Sequence, residues 1–110
     1  MTIDSAELLR PECYPHPTDG VEVIHTHISI VCLAGTRVYK LKKAVTLPFL
    51  DFSTPERREH FCREELRLNR RLCPWVYLDV VPLRRGARGL NFRGEGITVD
   101  HPLVMTRLPA

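Results

Sequence analysis

Arg37-Val-Tyr-Lys-Leu-Lys-Lys43, read together with the helix predicted over Ser53–Leu72, decides the fold. The seven residues predict a strand, and side chains alternate along a strand, so Val38, Lys40 and Lys42 share a face. The helix start is well marked. Ser53 and Thr54 offer caps, Pro55 suits the first turn and Glu56 completes a capping box, while Pro74 ends the element. At about 100° per residue from Phe61, Leu72 falls at about 20°, Cys62 at about 100°, Leu66 at about 140° and Leu68 at about 340°. Glu65 falls at about 40°, inside that apolar arc. An unpaired buried carboxylate costs several kcal/mol, so Glu65 requires a cation or a route to solvent. A strand lysine meets that need, and so does Arg58 or Arg67 at the helix surface.

Working outward, Gly35-Thr36 predicts a tight turn between Arg37–Lys43 and an apolar strand over Ile28–Ala34. Val21–Ile24, Val76–Leu83 and His101–Leu108 predict three more strands. Arg84–Thr98 holds four glycines and reads as an extended hairpin loop. Asp4–Arg10 makes one short helix with Asp4 as N-cap, and Pro11–Gly20 reads as an irregular lead-in. The expected architecture is α+β: a five-stranded antiparallel sheet with one long helix on it, residues 21–110, after a lead-in over residues 1–20. Ile30, Leu33, Phe61, Leu68, Leu72 and Val80 are the expected core shared by sheet and helix.

A length of 110 residues bounds the chain to one small domain. The 44% hydrophobic and 26% charged residues are ordinary for a globular protein, and the net charge of +3 is mildly basic. Cys13, Cys32, Cys62 and Cys73 form no C-x-x-C, which predicts reduced thiols in a cytoplasmic protein. The chain has no apolar run of membrane-spanning length, and the opening MTIDSAELLRPE does not read as a signal peptide. His25-x-His27 places two imidazoles on one strand face, with Cys13 and His16 upstream. That spacing matches no common zinc module, so no metal site is expected. Arginines on the outer helix face interleave with acids and lack an aromatic stacking platform, which argues against nucleic acid.

Four segments in this order, HTHIS, VYKLKK, LPFLDFSTPERREHFCREELRLNRRL and LVMTRLPA, cover most of residues 21–110. Together they resemble the small lobe of the protein-kinase-like fold, in its aminoglycoside phosphotransferase branch. They are most similar to the N-terminal kinase-like part of bacterial proteins in which such a domain is fused to a P-loop, AAA-family ATPase domain. The resemblance implies an ATP site. Val38 would roof the adenine, and Lys40, paired with Glu65, would reach the α- and β-phosphates. Register favours Lys40 over Lys42 for that role. Thr26, His27 and Ser29 would cover the phosphates where kinases carry a glycine-rich loop, Met105 would be the gatekeeper, and Thr106, Arg107 and Leu108 would form the hinge. The catalytic and metal-binding aspartates of that fold belong to a second, helical lobe. Asp4, Asp19, Asp51, Asp79 and Asp100 do not stand in a catalytic-loop context, and Asp51-Phe52-Ser53 precedes the helix, where a metal-binding Asp-Phe-Gly motif does not belong. The resemblance therefore implies an incomplete ATP site without catalysis by these residues alone, Mg²⁺ only in a two-lobed protein, and a missing C-terminal lobe or partner chain, with self-association in its absence. The competing expectation is a non-catalytic interaction module built on the same lobe.

Overall fold

The computed structural model describes residues 3–108. β-Branched and aliphatic residues build its central sheet. β1 (Val21–His25), β2 (Ser29–Ala34) and β3 (Arg37–Lys42) form a meander. Gly35 closes its second turn at φ 60°, and a Cβ there would lie 2.9 Å from the Pro17 carbonyl oxygen. Both facts demand glycine.

Beyond β3 the connector folds into a two-residue-per-strand hairpin, β4 (Thr46–Leu47) and β5 (Leu50–Asp51), which leads into helix α1 (Pro55–Arg70). Thr54 is the cap, its side chain accepting from the Arg57 N–H at 3.2 Å. The third helical position is thus Arg57, and Glu56 does not complete a capping box. β6 (Tyr77–Val80) follows, then β7 (Leu83–Gly86), β8 (Gly89–Asn91), β9 (Ile97–Asp100) and β10 (Leu103–Thr106). The main sheet runs β1-β2-β3-β10-β6, with every pairing antiparallel. The protein is therefore α+β, with a five-stranded antiparallel sheet and one α-helix among the described residues. No helix among them is long and apolar enough to cross a membrane.

Two expectations change. Arg84–Thr98 is a second sheet, ordered β8-β7-β9, rather than a loop. Its glycines shape it: Gly89, Gly94 and Gly96 all have positive φ, and a Cβ on Gly96 would overlap the Arg85 carbonyl. The larger core also lies on the opposite side of the main sheet from the helix. Ile30, Cys32, Ala34, Tyr39, Leu41 and Val104 pack there against Leu8, Cys13 and Tyr14 of the lead-in and Leu83, Leu90 and Phe92 of the second sheet. The lead-in forms two 3₁₀ turns, Ser5–Leu9 and Pro11–Cys13, and its apolar residues complete this core.

The helix side is thinner. Cys62 and Leu66 meet Val80, Leu103, Tyr77 and Met105. Leu68 and Leu72, expected in the core, are 52% and 76% exposed. The physical reason is that the inward arc of α1 is partly polar. Arg58, Cys62, Glu65, Leu66 and Asn69 span about 40–140° on the wheel, so the apolar stripe and the buried stripe do not coincide.

Arg58 anchors that arc. Its Nε donates to Asp100 Oδ2 at 3.1 Å and its Nη1 to the Phe52 carbonyl at 2.8 Å, with both ionic side chains under a tenth exposed. Burial pushes the Asp100 carboxyl up, opposed by the His101 N–H and by Arg58. Removing one partner strands the other, at a cost of about 3–5 kcal/mol. Arg58→Met and Asp100→Asn should therefore each destabilise strongly in urea denaturation, and the double variant should lose clearly less than the sum. Additive losses would show that the pair does not hold the helix.

Candidate functional site

Register brings the helix-facing residues of the sheet together. Val31 stands opposite Lys40 and Leu33 opposite Val38 across β2–β3, while Leu103 and Met105 flank the same two residues from β10. Partnered residues of an antiparallel pair point to one face. Lys40 thus rises from a partly apolar surface of Val31, Val38 and Met105, next to α1.

Glu65 meets two lysines there. Lys40 Nζ lies 3.3 Å from Oε2 and Lys42 Nζ 2.9 Å from Oε1. The single Lys40–Glu65 pair of the sequence reading is therefore one arm of a three-membered cluster, and Lys42 makes the shorter contact. The two lysines differ in setting. The Lys42 side chain is 8% exposed, with its ammonium 5.1 Å from the centroid of the Phe52 ring, whereas the Lys40 side chain is 33% exposed. Lys42 neutralises Glu65 from within, and Lys40 retains access to solvent. Strand alternation alone signals that Lys42 shares the face, since it lies two residues beyond Lys40.

Burial pushes the Glu65 carboxyl up. The hydrogen bond and charge of Lys42, with Lys40 behind them, outweigh that and hold it below its ordinary 4.5. Neither Arg58 nor Arg67 takes Glu65: Arg58 is bound to Asp100, and Arg67 pairs with Glu64 at 2.7 Å.

The other predicted site residues are placed less openly. Thr26–Ser29 closes on itself: Thr26 N–H donates to the Ser29 carbonyl and Ser29 N–H to Thr26 Oγ1, both at 2.9 Å. His27 is exposed at the tip, but Ser29 is buried, so its hydroxyl is not offered to a ligand. In the predicted hinge, Thr106 N–H donates to the Val76 carbonyl at 2.8 Å and Arg107 N–H to the Thr36 carbonyl at 2.9 Å. Leu108 is exposed beyond them.

The histidines and cysteines are scattered. His16 Nε2 lies 2.8 Å from the Tyr39 hydroxyl, His25 Nε2 lies 3.0 Å from Ser5 Oγ, and Cys13 is buried in the core. Among the described residues, His, Cys, Asp and Glu side chains do not converge in groups of three or more. The cysteines are free thiols, and burial pushes Cys32 and Cys62 up to about 11.

The fold and site thus define an α+β chain with a Lys–Glu–Lys cluster between sheet and helix. No family model matches the sequence, and no solved structure matches it. It is 45% identical over 74 residues to uncharacterized protein Rv2004c of Mycobacterium tuberculosis and to uncharacterized protein Mb2027c of Mycobacterium bovis. The match takes in 64% of this chain and 15% of each relative. The chain thus spans a small part of the length of the curated relatives it matches.

The lowered Glu65 carboxyl contributes stability at pH values above 4.5, and that contribution is lost as the pH falls through its depressed folded value. Denaturant unfolding followed from pH 7 down to about pH 3 should show Glu65→Gln less stable than the parent at neutral pH, with a shallower acid-side decline. Parallel curves would remove Glu65 from the acid response.

Proposed function

We propose that this chain is the nucleotide-binding small lobe of an aminoglycoside-phosphotransferase-like kinase. One observation carries the reading: a strand lysine, Lys40, is held at 3.3 Å by a carboxylate of the α-helix while its ammonium stays partly exposed beside an apolar surface. Such a pair keeps a point charge extended where a phosphate can meet it. Lys42 supports this division of labour, because it absorbs much of the Glu65 charge and leaves Lys40 available.

The residues fit ATP unevenly. Val38 and Met105 offer a surface for a base, and Lys40 offers a phosphate contact. The closed Thr26–Ser29 turn supplies no backbone cradle, and the Thr106 and Arg107 N–H groups are engaged within the protein, so Leu108 is the hinge residue left to meet an adenine edge. The acids do not fit Mg²⁺. Asp100 is bound by Arg58, Asp51 accepts from the Ser53 N–H, and Asp79 accepts from the Val80 N–H. Magnesium and the base for the acceptor hydroxyl would come from a second lobe, whether in the same protein or a partner chain. Phosphoryl transfer then occurs only in that assembly, and these residues bind and orient the nucleotide.

An interaction module on the same scaffold is the second reading. It is favoured by the exposure of Leu72 and Trp75 after α1, with Leu108 at the end of β10. The Trp75 carbonyl accepts from Thr106 Oγ1 at 2.8 Å, which brings the α1–β6 connection up against the hinge. A second lobe, a partner or another copy of the chain would cover this end.

ATP titration watched by amide chemical shifts should give a Kd of about 1 mM or weaker, with shifts at Val38, Lys40 and Met105. Lys40→Ala should weaken binding further, and no turnover should occur. Micromolar ATP binding or measurable transfer would overturn the incompleteness of the site, and no binding, or indifference to Lys40→Ala, would reject the kinase-lobe reading. Light scattering over a concentration series tests the exposed end: self-association should fall on Leu72→Ser with Trp75→Ser. A monomer that melts cooperatively above about 65 °C would instead favour the self-sufficient module.

A further inference from the structure

Where β3 leaves the sheet, a cavity of about 470 Å³ opens between the sheet end, the connector and α1. That volume lies within the roughly 300–1,000 Å³ of small-molecule sites. Its apolar lining is Ile30 and Leu41, from the face opposite Lys40, with Ile3 and the connector's Ala44 and Val45, and the His25 imidazole, engaged with Ser5, stands beside them. Arg58 and Asp100 also line it, and their side chains are more than nine-tenths buried. Buried ionic groups beside an open apolar space are costly unless something is gained from them, and ligand pockets share this composition.

Charge decides the occupant. Arg58 and Asp100 neutralise each other at 3.1 Å, and Lys42, also lining the cavity, is neutralised by Glu65 at 2.9 Å. Lys43 is different. Its ammonium donates to the Thr26 carbonyl at 2.7 Å and has no carboxylate partner among the described residues. The cavity therefore combines an unneutralised cation at one side with apolar walls. An apolar body with a single anionic head satisfies both. A multiply charged nucleotide would leave its extra charge against Ile30 and Leu41.

We propose that this cavity binds an amphipathic monoanion, with its carboxylate on Lys43 and its hydrocarbon body against Ile30, Leu41 and Val45. The site is separate from the Lys40 surface and does not rest on the kinase-lobe reading.

Octanoate is the probe, titrated into the full chain by calorimetry and by amide chemical shifts, with octylamine and inorganic phosphate alongside. Octanoate should bind with shifts centred on His25, Ala44 and Val45, and both controls should bind at least about tenfold more weakly. Lys43→Met, which keeps the stem and removes the charge, should weaken octanoate about tenfold. Val45→Trp, which fills the space, should do the same, whereas Leu72→Ser should leave affinity unchanged. Circular dichroism checks that each variant is folded, and Lys43→Met alone suffices if Val45→Trp is not. Equal binding of octylamine, shifts centred on Leu72–Trp75, undiminished binding by Lys43→Met, or no binding would overturn the proposal. ATP added at saturation should not displace octanoate, so failure of either site is read independently.

Discussion

The structure depends on neutralising two ionised side chains on the buried side of its helix. Arg58 and Glu65 lie about two turns apart on α1, and the sheet side meets each with the opposite sign: Asp100 at the end of β9, and Lys42 with Lys40 on β3. Apolar contact alone holds α1 loosely, since Cys62 and Leu66 are small anchors. The ion pairs act differently from such contact. A slip of one residue turns the helix by about 100° and strands a carboxylate and a guanidinium at once. They fix the rotation and height of the helix more sharply than they add to its stability.

That constraint also prepares the site. Because Lys42 is buried under Phe52 and answers Glu65 from inside, the second lysine need not be desolvated to keep the helix in place. Lys40 is positioned by the same carboxylate while remaining partly hydrated. On the proposed nucleotide reading, a phosphate would approach an ammonium whose geometry is already set, which lowers the ordering cost of binding. The apolar floor around it is backed by a packed core, with Tyr39 and Leu41 of β3 buried behind the site.

Much of this was legible in the sequence, and the omissions have physical causes. The meander followed from aliphatic runs and from Gly35, and the helix from Thr54 and Pro55, because these signals act within a few residues. The wheel showed that Glu65 needs a partner and alternation put Lys40 and Lys42 on one face, while the choice of Lys40 came from the family resemblance. The wheel misjudged Leu68 and Leu72 because it ranks faces by hydropathy, and here the inward face carries Arg58, Glu65 and Asn69, whose polarity is satisfied by tertiary partners. Asp100 gave no sign of its role, since its partner is 42 residues away. The second sheet was hidden by its own glycines, which break a strand pattern locally and are needed for β7 and β9 to approach. The lead-in looked irregular because it has no period, yet Leu8, Cys13 and Tyr14 are core residues.

The lead-in also orders events in time. Glu7 accepts from Arg85, Arg10 donates to the Leu90 carbonyl, and the Cys13 carbonyl accepts from the Phe92 N–H at 2.7 Å. The first two contacts span 78 and 80 residues, so they close long loops. Loop closure of that length slows pairing, and such contacts form only after their distant strand exists. On a ribosome the meander is complete long before β8 emerges, and Tyr39 and Cys32 wait with one side of their sheet bare. A segment made before the meander is therefore seated well after it, and through that interval the aggregation hazard of the nascent chain lies on the back of its sheet.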